Sequence, residues 1–363
     1  MSKNTLRLVL LVVTLIMPIS IFCQDQVHNR RYFKKFFRSS ANDRLLVLGE
    51  NHASDVGAAI YPDLVKYLNR KTGLRTLLIE FGPSEAFFYN RYLETGDEKH
   101  LNYTLYAGGD KMWREAWRTL YAFNQKLKKP LIVTGIDFDR TRTFAYALYS
   151  IFMGYEQYPD FLQQLMAEIR TDEFYNTYSI GYPSPKEIDW VKKVKTLLKN
   201  NYWELQSFLR PHDLRIVTEI LQNEGTGYNE GREEILTETT QRVIAESDEQ
   251  LFFLLIGRNH TYNNPLPLYG DRQSLVARLK KDSNIHVRTG PILFQDTDLW
   301  GGKNRSETIR LFEIEQKTPW KGHQETLLNI KPKQPLRVIP LTGDLEPLAR
   351  YADFILLARG RRL

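Results

Sequence analysis

Cysteine is nearly absent: the 363-residue chain holds one, Cys23. If the segment ending at Cys23 is removed on export, the remainder can form no disulfide, no thiolate metal site and no cysteine nucleophile. Other signatures are missing as well. There is no Gly-x-Ser-x-Gly elbow, which removes the usual serine-hydrolase arrangement. No P-loop and no His-Glu-x-x-His helix occur. There is no repeat of solenoid period and no low-complexity tract. Positive charge is not concentrated: 50 Lys and Arg are dispersed among 43 Asp and Glu, a net of +7. Pairs such as Lys128-Lys129 and Lys280-Lys281 fall near expected helix ends, where cations suit the dipole. This pattern reads as a solvated surface and not as a nucleic-acid footprint.

The chain is 42% hydrophobic and rich in aromatics, with 20 Tyr, 19 Phe and 6 Trp. That composition supplies a sizeable core and argues against disorder. The first 23 residues stand apart. Lys3 and Arg7 precede an apolar stretch, Leu8 to Phe22, interrupted by Thr14, Pro18 and Ser20. A basic start and a short apolar run fit a secretory signal peptide better than an uncleaved membrane anchor. Lipidation at Cys23 is a lesser option, because Phe22 is bulky where a small residue normally precedes a lipidated cysteine. The expected protein is therefore exported, periplasmic or secreted, with no stable membrane span once residues 1–23 are removed and a net charge near +5, since +7 loses Lys3 and Arg7.

From residue 44 onward, short hydrophobic runs alternate with helical periodicity. Arg44 to Gly49 and Leu74 to Phe81 read as buried strands, with a helix over Gly57 to Leu68 between them. Helices follow from Ser84 through Leu93 and from Met112 to Leu127. Pro130 opens a third strand, Leu131 to Asp137. Strands separated by helices of this length predict βαβ units and an α/β fold with a mostly parallel or mixed central sheet flanked by helices. Residues from about 141 to 249 hold no convincing strand. Phe144 to Met153, Phe161 to Ile169, Pro185 to Leu209 and Glu233 to Glu246 all look helical. They form a large insertion that either lines a pocket as a lid or covers one sheet face. Leu251 to Ile256 resumes the sheet, followed by a helix over Asp271 to Lys281 and a strand near Ile285 to Arg288. The core is thus expected over 24–300. Residues 301–363 form a less regular extension, with terminal strands at Leu336 to Leu341 and Phe354 to Ala358.

Two of these runs stop at the same pattern, Gly49-Glu50-Asn51-His52 and Gly257-Arg258-Asn259-His260, more than 200 residues apart. Each delivers a histidine to a strand's C-terminal end, where ligands bind in open α/β sheets. Residues i and i+2 of a strand share a face, so Glu50 and His52 should project together. A carboxylate beside a histidine fixes its tautomer and raises its basicity. Glu80 ends the second strand and Asp137 the third, and both are costly to bury unpaired. Glu50, His52, Glu80, Asp137, Arg258 and His260 are therefore expected to converge on one sheet edge as a functional site. Glu50, His52, Glu80 and His260 also offer nitrogen and oxygen donors suited to zinc, manganese or cobalt.

These residues resemble the superfamily that groups erythromycin esterases, ChaN-like haem-binding lipoproteins and the Tiki/TraB proteins. The resemblance rests on Gly49-Glu50-Asn51-His52, Ile79-Glu80, Gly135-Ile136-Asp137 and Gly257-Arg258-Asn259-His260. Leu275 to Leu279 and Ile285-His286-Val287 also match the family's helix and strand after the second Gly-x-x-His. Coverage runs from about Arg44 to Arg288. The resemblance implies an α/β core with its site at the strand ends. In the esterase branch a histidine matching His52 is the general base that activates water, a glutamate matching Glu80 supports the site, and a late histidine such as His260 completes it. One departure stands out: esterases place two residues between the first glutamate and histidine, and here only Asn51 intervenes. That spacing is closer to the ChaN and Tiki branches.

Three functions follow as expectations. The first is an exported hydrolase needing no cofactor, acting on an ester or similar acyl centre in a small molecule or peptide. There His52 deprotonates water, Glu50 and Glu80 orient it, His260 and Arg258 stabilise the oxyanion or protonate the leaving group, and Asp137 supports them. The second is a divalent-metal-dependent peptide hydrolase of Tiki type. The third is a non-enzymatic haem-binding protein of ChaN type.

Overall fold

The computed structural model describes residues 42–52, 55–171, 174, 183–225, 231–265, 272–295, 297–298, 308–309, 319–329 and 336–359. The expected signal peptide and Cys23 lie outside them. Nine strands are described. Seven form one sheet in the order β3-β2-β4-β1-β5-β9-β8: β1 is Leu45–Glu50, β2 Thr76–Ile79, β3 Ile132–Gly135, β4 Phe252–Gly257, β5 Val287–Gln295, β8 Leu336–Pro340 and β9 Phe354–Arg359. Six of them run parallel, and β8 pairs antiparallel with β9. The remaining two, β6 (Thr297–Asp298) and β7 (Thr308–Ile309), make a small antiparallel pair.

Strand alternation sorts the core into two layers. Leu46, Leu48, Leu77, Ile79, Phe253 and Leu255 face the helices Val56–Thr72, Pro83–Thr95 and Lys111–Asn124. Leu45, Val47, Leu78, Phe252, Leu254 and Ile256 face the helices Arg232–Ala245 and Leu275–Asp282. Strands covered on both faces read as near-continuous apolar runs, which is how they appear in the sequence.

The helical block between β3 and β4 divides into two parts. The helices from Thr141–Phe152 to Pro211–Gln222 build a separate core with Phe87 and Phe88 of the helix Pro83–Thr95. Its last helix, Arg232–Ala245, belongs to the sheet layer through Leu236 and Ile244. The stretch expected as one helix over Pro185 to Leu209 is two, Pro185–Asn200 and Tyr202–Phe208. A further helix, Pro211–Gln222, has proline at its start, where the missing N–H costs nothing. The C-terminal strands are not an appendage: β9 pairs with β5 and extends the main sheet. Among the described residues, no helix is long and apolar enough to cross a membrane.

β3 is an edge strand, and its free backbone is capped by a side chain. Asn90 Nδ2 donates to the Val133 carbonyl at 2.8 Å, and its Oδ1 accepts the Val133 N–H at 2.8 Å. Asn90→Ala strips both bonds from the edge that carries Asp137. A loss of about 1–3 kcal/mol is expected, read as a lower urea midpoint with an unchanged slope.

Candidate functional site

The parallel strands β1, β4, β2 and β3 are adjacent, so their C-terminal ends lie side by side. In register, Glu50 pairs with Gly257 and Ile79 with Gly135. Glu50, Glu80, Asp137 and the turn Arg258–His260 therefore emerge at one edge.

Glu50 and His52 meet as their spacing requires, with Glu50 Oε1 3.1 Å from His52 Nδ1. On the other side of the ring, His52 Nε2 lies 3.5 Å from Glu80 Oε2. The Tyr106 hydroxyl is 2.7 Å from His52 Nδ1. The His52 side chain is 43% exposed, whereas the groups beneath it are nearly sealed. Burial opposes a charge on His52, but the Glu50 hydrogen bond and the charges of Glu80 and Glu50 outweigh it. Its pKa is raised above 6.5.

Beneath His52 lies a buried ion cluster. Arg232 Nε donates to Asp137 Oδ1 at 3.0 Å, and its Nη2 donates to Asp137 Oδ2 at 2.5 Å and to Glu80 Oε1 at 2.7 Å. Glu80 Oε2 accepts the Gly257 N–H at 2.6 Å. His260 is held by Glu233 Oε1, 2.5 Å from Nδ1, and by Glu80 Oε1, 3.3 Å from Nε2. Glu233 Oε2 in turn accepts the Leu275 N–H at 2.7 Å, tying two helices together. Burial works against a charge on His260, yet Glu80 and Glu233 carry its pKa up to about 10. Burial also opposes a charge on Glu80, but His260, His52 and Arg232 hold it well below the ordinary carboxylate range. Glu80 and Glu233 thus favour the imidazolium form of His260, and the same carboxylates surround the 3.2 Å approach of Arg232 Nη1 to its Nε2.

Glycine at 257 is required by close approach. A Cβ there would sit 2.6 Å from His52 Nε2 and 3.3 Å from Glu80 Oε2. The loop after β3 is fixed from the helical block. Asn223 Nδ2 donates to the Asp137 carbonyl at 2.8 Å, while Asp139 accepts Ser84 Oγ at 2.6 Å and Lys195 Nζ at 2.9 Å. Arg140, also on this loop, stacks 4.8 Å from the Phe81 ring centroid.

Five of the six expected residues thus join one network: Glu50, His52, Glu80, Asp137 and His260. Arg258 begins the turn Arg258–His260 and is half-buried, and its carbonyl accepts the Thr261 hydroxyl at 2.8 Å. The guanidinium shared by Glu80 and Asp137 belongs to Arg232 instead. Arg232, Glu233 and Tyr106 escape the sequence reading. A helix-start signal exists at Glu233, which is acidic in a first turn. Nothing local says that this helix docks against the strand ends.

Two of the four expected metal donors, Glu80 and His260, are already engaged by other groups. Glu80 and Asp137 hold Arg232, Glu80 also binds the Gly257 amide, and His260 binds Glu233. Among the described residues, no group of three or more His, Cys, Asp or Glu is arranged to hold a metal ion.

Comparison with known proteins agrees with this architecture. An erythromycin esterase, EreC, solved as a variant in its open conformation, superposes with a TM-score of 0.60 at 15% identity, covering 90% of this chain and 92% of that one. The chain shares the erythromycin esterase fold. A Bacillus cereus protein gives a TM-score of 0.61 at 12% identity, covering 90% and 91%. A succinoglycan biosynthesis protein gives 0.59 at 15%, covering 90% of both chains. No family model and no curated protein sequence matches the chain.

Arg232→Met keeps the side-chain length and leaves Glu80 and Asp137 buried without their shared cation. Breaking a buried ion cluster in this way costs roughly 3–5 kcal/mol. Urea unfolding of the variant near neutral pH should show that loss. Arg232→Lys, which restores a charge without the planar fork, should recover part of it.

Proposed function

We propose that this protein is an exported hydrolase that attacks an ester or similar acyl centre in a small molecule or peptide, with His52 as the base. The observation that carries this reading is an exposed histidine anchored by Glu50 directly above a sealed pair of cations, Arg232 and His260. A general base must reach solvent and substrate, and of this network His52 is the member that does so.

Glu50 accepts a proton-bearing Nδ1 and leaves Nε2 as the basic nitrogen. Glu80 faces Nε2 and favours the imidazolium that forms when water gives up its proton. Arg232 and His260 lie too deep to touch a substrate carbonyl. Their fixed charge acts through the low-dielectric floor of the site, where it favours a developing oxyanion. Burial, then the Glu50 and Glu80 charges, push the Tyr106 hydroxyl well above its usual range, so it stays protonated and can donate a hydrogen bond. Asp137 holds Arg232 in place. The fold shared with an erythromycin esterase supports a hydrolase, and the apolar leader with its basic start supports export.

Given a panel of activated esters and acylated small molecules, His52→Ala should lower kcat/KM by ~10²–10⁴-fold. Full activity in that variant would refute the assignment. The base works only when neutral, so the rate should rise with pH through the raised His52 pKa, placing the acid limb above 6.5. Glu50→Gln removes the hydrogen bond that raises it, and the limb should move toward lower pH. A limb that stays put in Glu50→Gln would contradict the pairing.

A further inference from the structure

Glu50 uses one carboxylate oxygen on His52. The other, Oε2, is buried and has no hydrogen-bond partner, and the same is true of the Tyr61 hydroxyl. Both residues line one small cavity, of about 30 Å³, walled by Tyr61, Tyr89, Tyr106, Trp113 and Trp117. The cavity lies beside the first turn of the helix Val56–Thr72, where Gly57 makes room. A Cβ on Gly57 would overlap Glu50 Oε2. Glu50 Oε2 thus lies against the N-terminal turn of that helix, which Asp55 precedes.

Arg232 and His260 are engaged deeper in the network, by Glu80, Asp137 and Glu233. The unpartnered oxygen of this network faces an aromatic box.

We propose that this cavity is a binding site for a weakly hydrated monovalent cation of ammonium or potassium size, held by Glu50 Oε2, the Tyr61 oxygen and the surrounding aromatic faces. The cavity has room for a water or an ion of similar radius. Aromatic faces attract a cation most where it is desolvated. They cannot replace the tight water shell of lithium, and choline is far larger than a single water. Burial and the Glu50 charge push the Tyr61 hydroxyl above its usual range, so its oxygen remains a neutral ligand. A cation here would pair with the second Glu50 oxygen. The inference stands on the cavity and its two unpartnered oxygens, and not on the hydrolase reading.

The test uses the full-length protein without substrate, in ammonium, potassium, lithium or choline chloride at fixed ionic strength. Ammonium and potassium should raise the thermal midpoint above that in lithium or choline, saturably, as a ligand of the folded state does. They should also change tryptophan emission with the same saturation curve, because Trp113 and Trp117 wall the site. Glu50→Gln should abolish both responses, and Tyr61→Phe should raise the half-saturating concentration several-fold. His52→Ala should keep or strengthen the response even as hydrolysis is lost, which separates this site from the catalytic assignment. Equal behaviour in all four salts would mean that the cavity holds only water and would overturn the proposal. A full response retained in Tyr61→Phe and Glu50→Gln would do the same, and Tyr61→Phe decides alone if Glu50→Gln does not fold.

Discussion

One guanidinium organises the strand ends. Arg232 bridges Asp137 after β3 and Glu80 after β2, and it lies against His260 after β4. Without a shared cation, two carboxylates at adjacent strand ends would repel and would each carry a desolvation penalty. With it they become the floor of a site. Glu80 is then free to use its second oxygen on the Gly257 amide and to face His52. The helix Arg232–Ala245 therefore does two jobs, covering the sheet with Leu236 and Ile244 and anchoring the cluster from its first turn through Arg232 and Glu233.

Charge in this site is graded by depth. Arg232 and His260 are buried, and their protonation is fixed by Asp137, Glu80 and Glu233. His52 sits above them, partly open, with its pKa raised above 6.5 by Glu50 and Glu80. The division is useful for chemistry. A proton is exchanged at the rim while the field beneath stays constant, which is the condition for preorganised electrostatic stabilisation.

Much of the fold was legible. Buried parallel strands announce themselves as apolar runs, and the terminal polar residues Glu50, Glu80, Asp137 and His260 mark where those runs meet the surface. Glu50 and His52 do meet, although His52 lies two residues past the end of β1. Arg258 shows the limit: the chain leaves β4 in a tight turn, and the strand period no longer says where its side chain points. Arg232 and Tyr106 reach the site through helix docking across long sequence distances, which no local pattern encodes. The same holds for the C-terminal strands, whose place beside β5 depends on pairing far along the chain. The break at Asn201 within the helix expected over Pro185 to Leu209 also went unread, since Asn is only mildly unfavourable in a helix.

The most direct test of the graded-charge account is nitrogen-detected NMR of the histidine rings as pH is varied. The account predicts that His52 titrates with a midpoint above 6.5, while His260 stays an imidazolium until the pH approaches about 10. A His260 that loses its proton at or below 6.5 would leave the floor of the site without its second cation and would contradict the account.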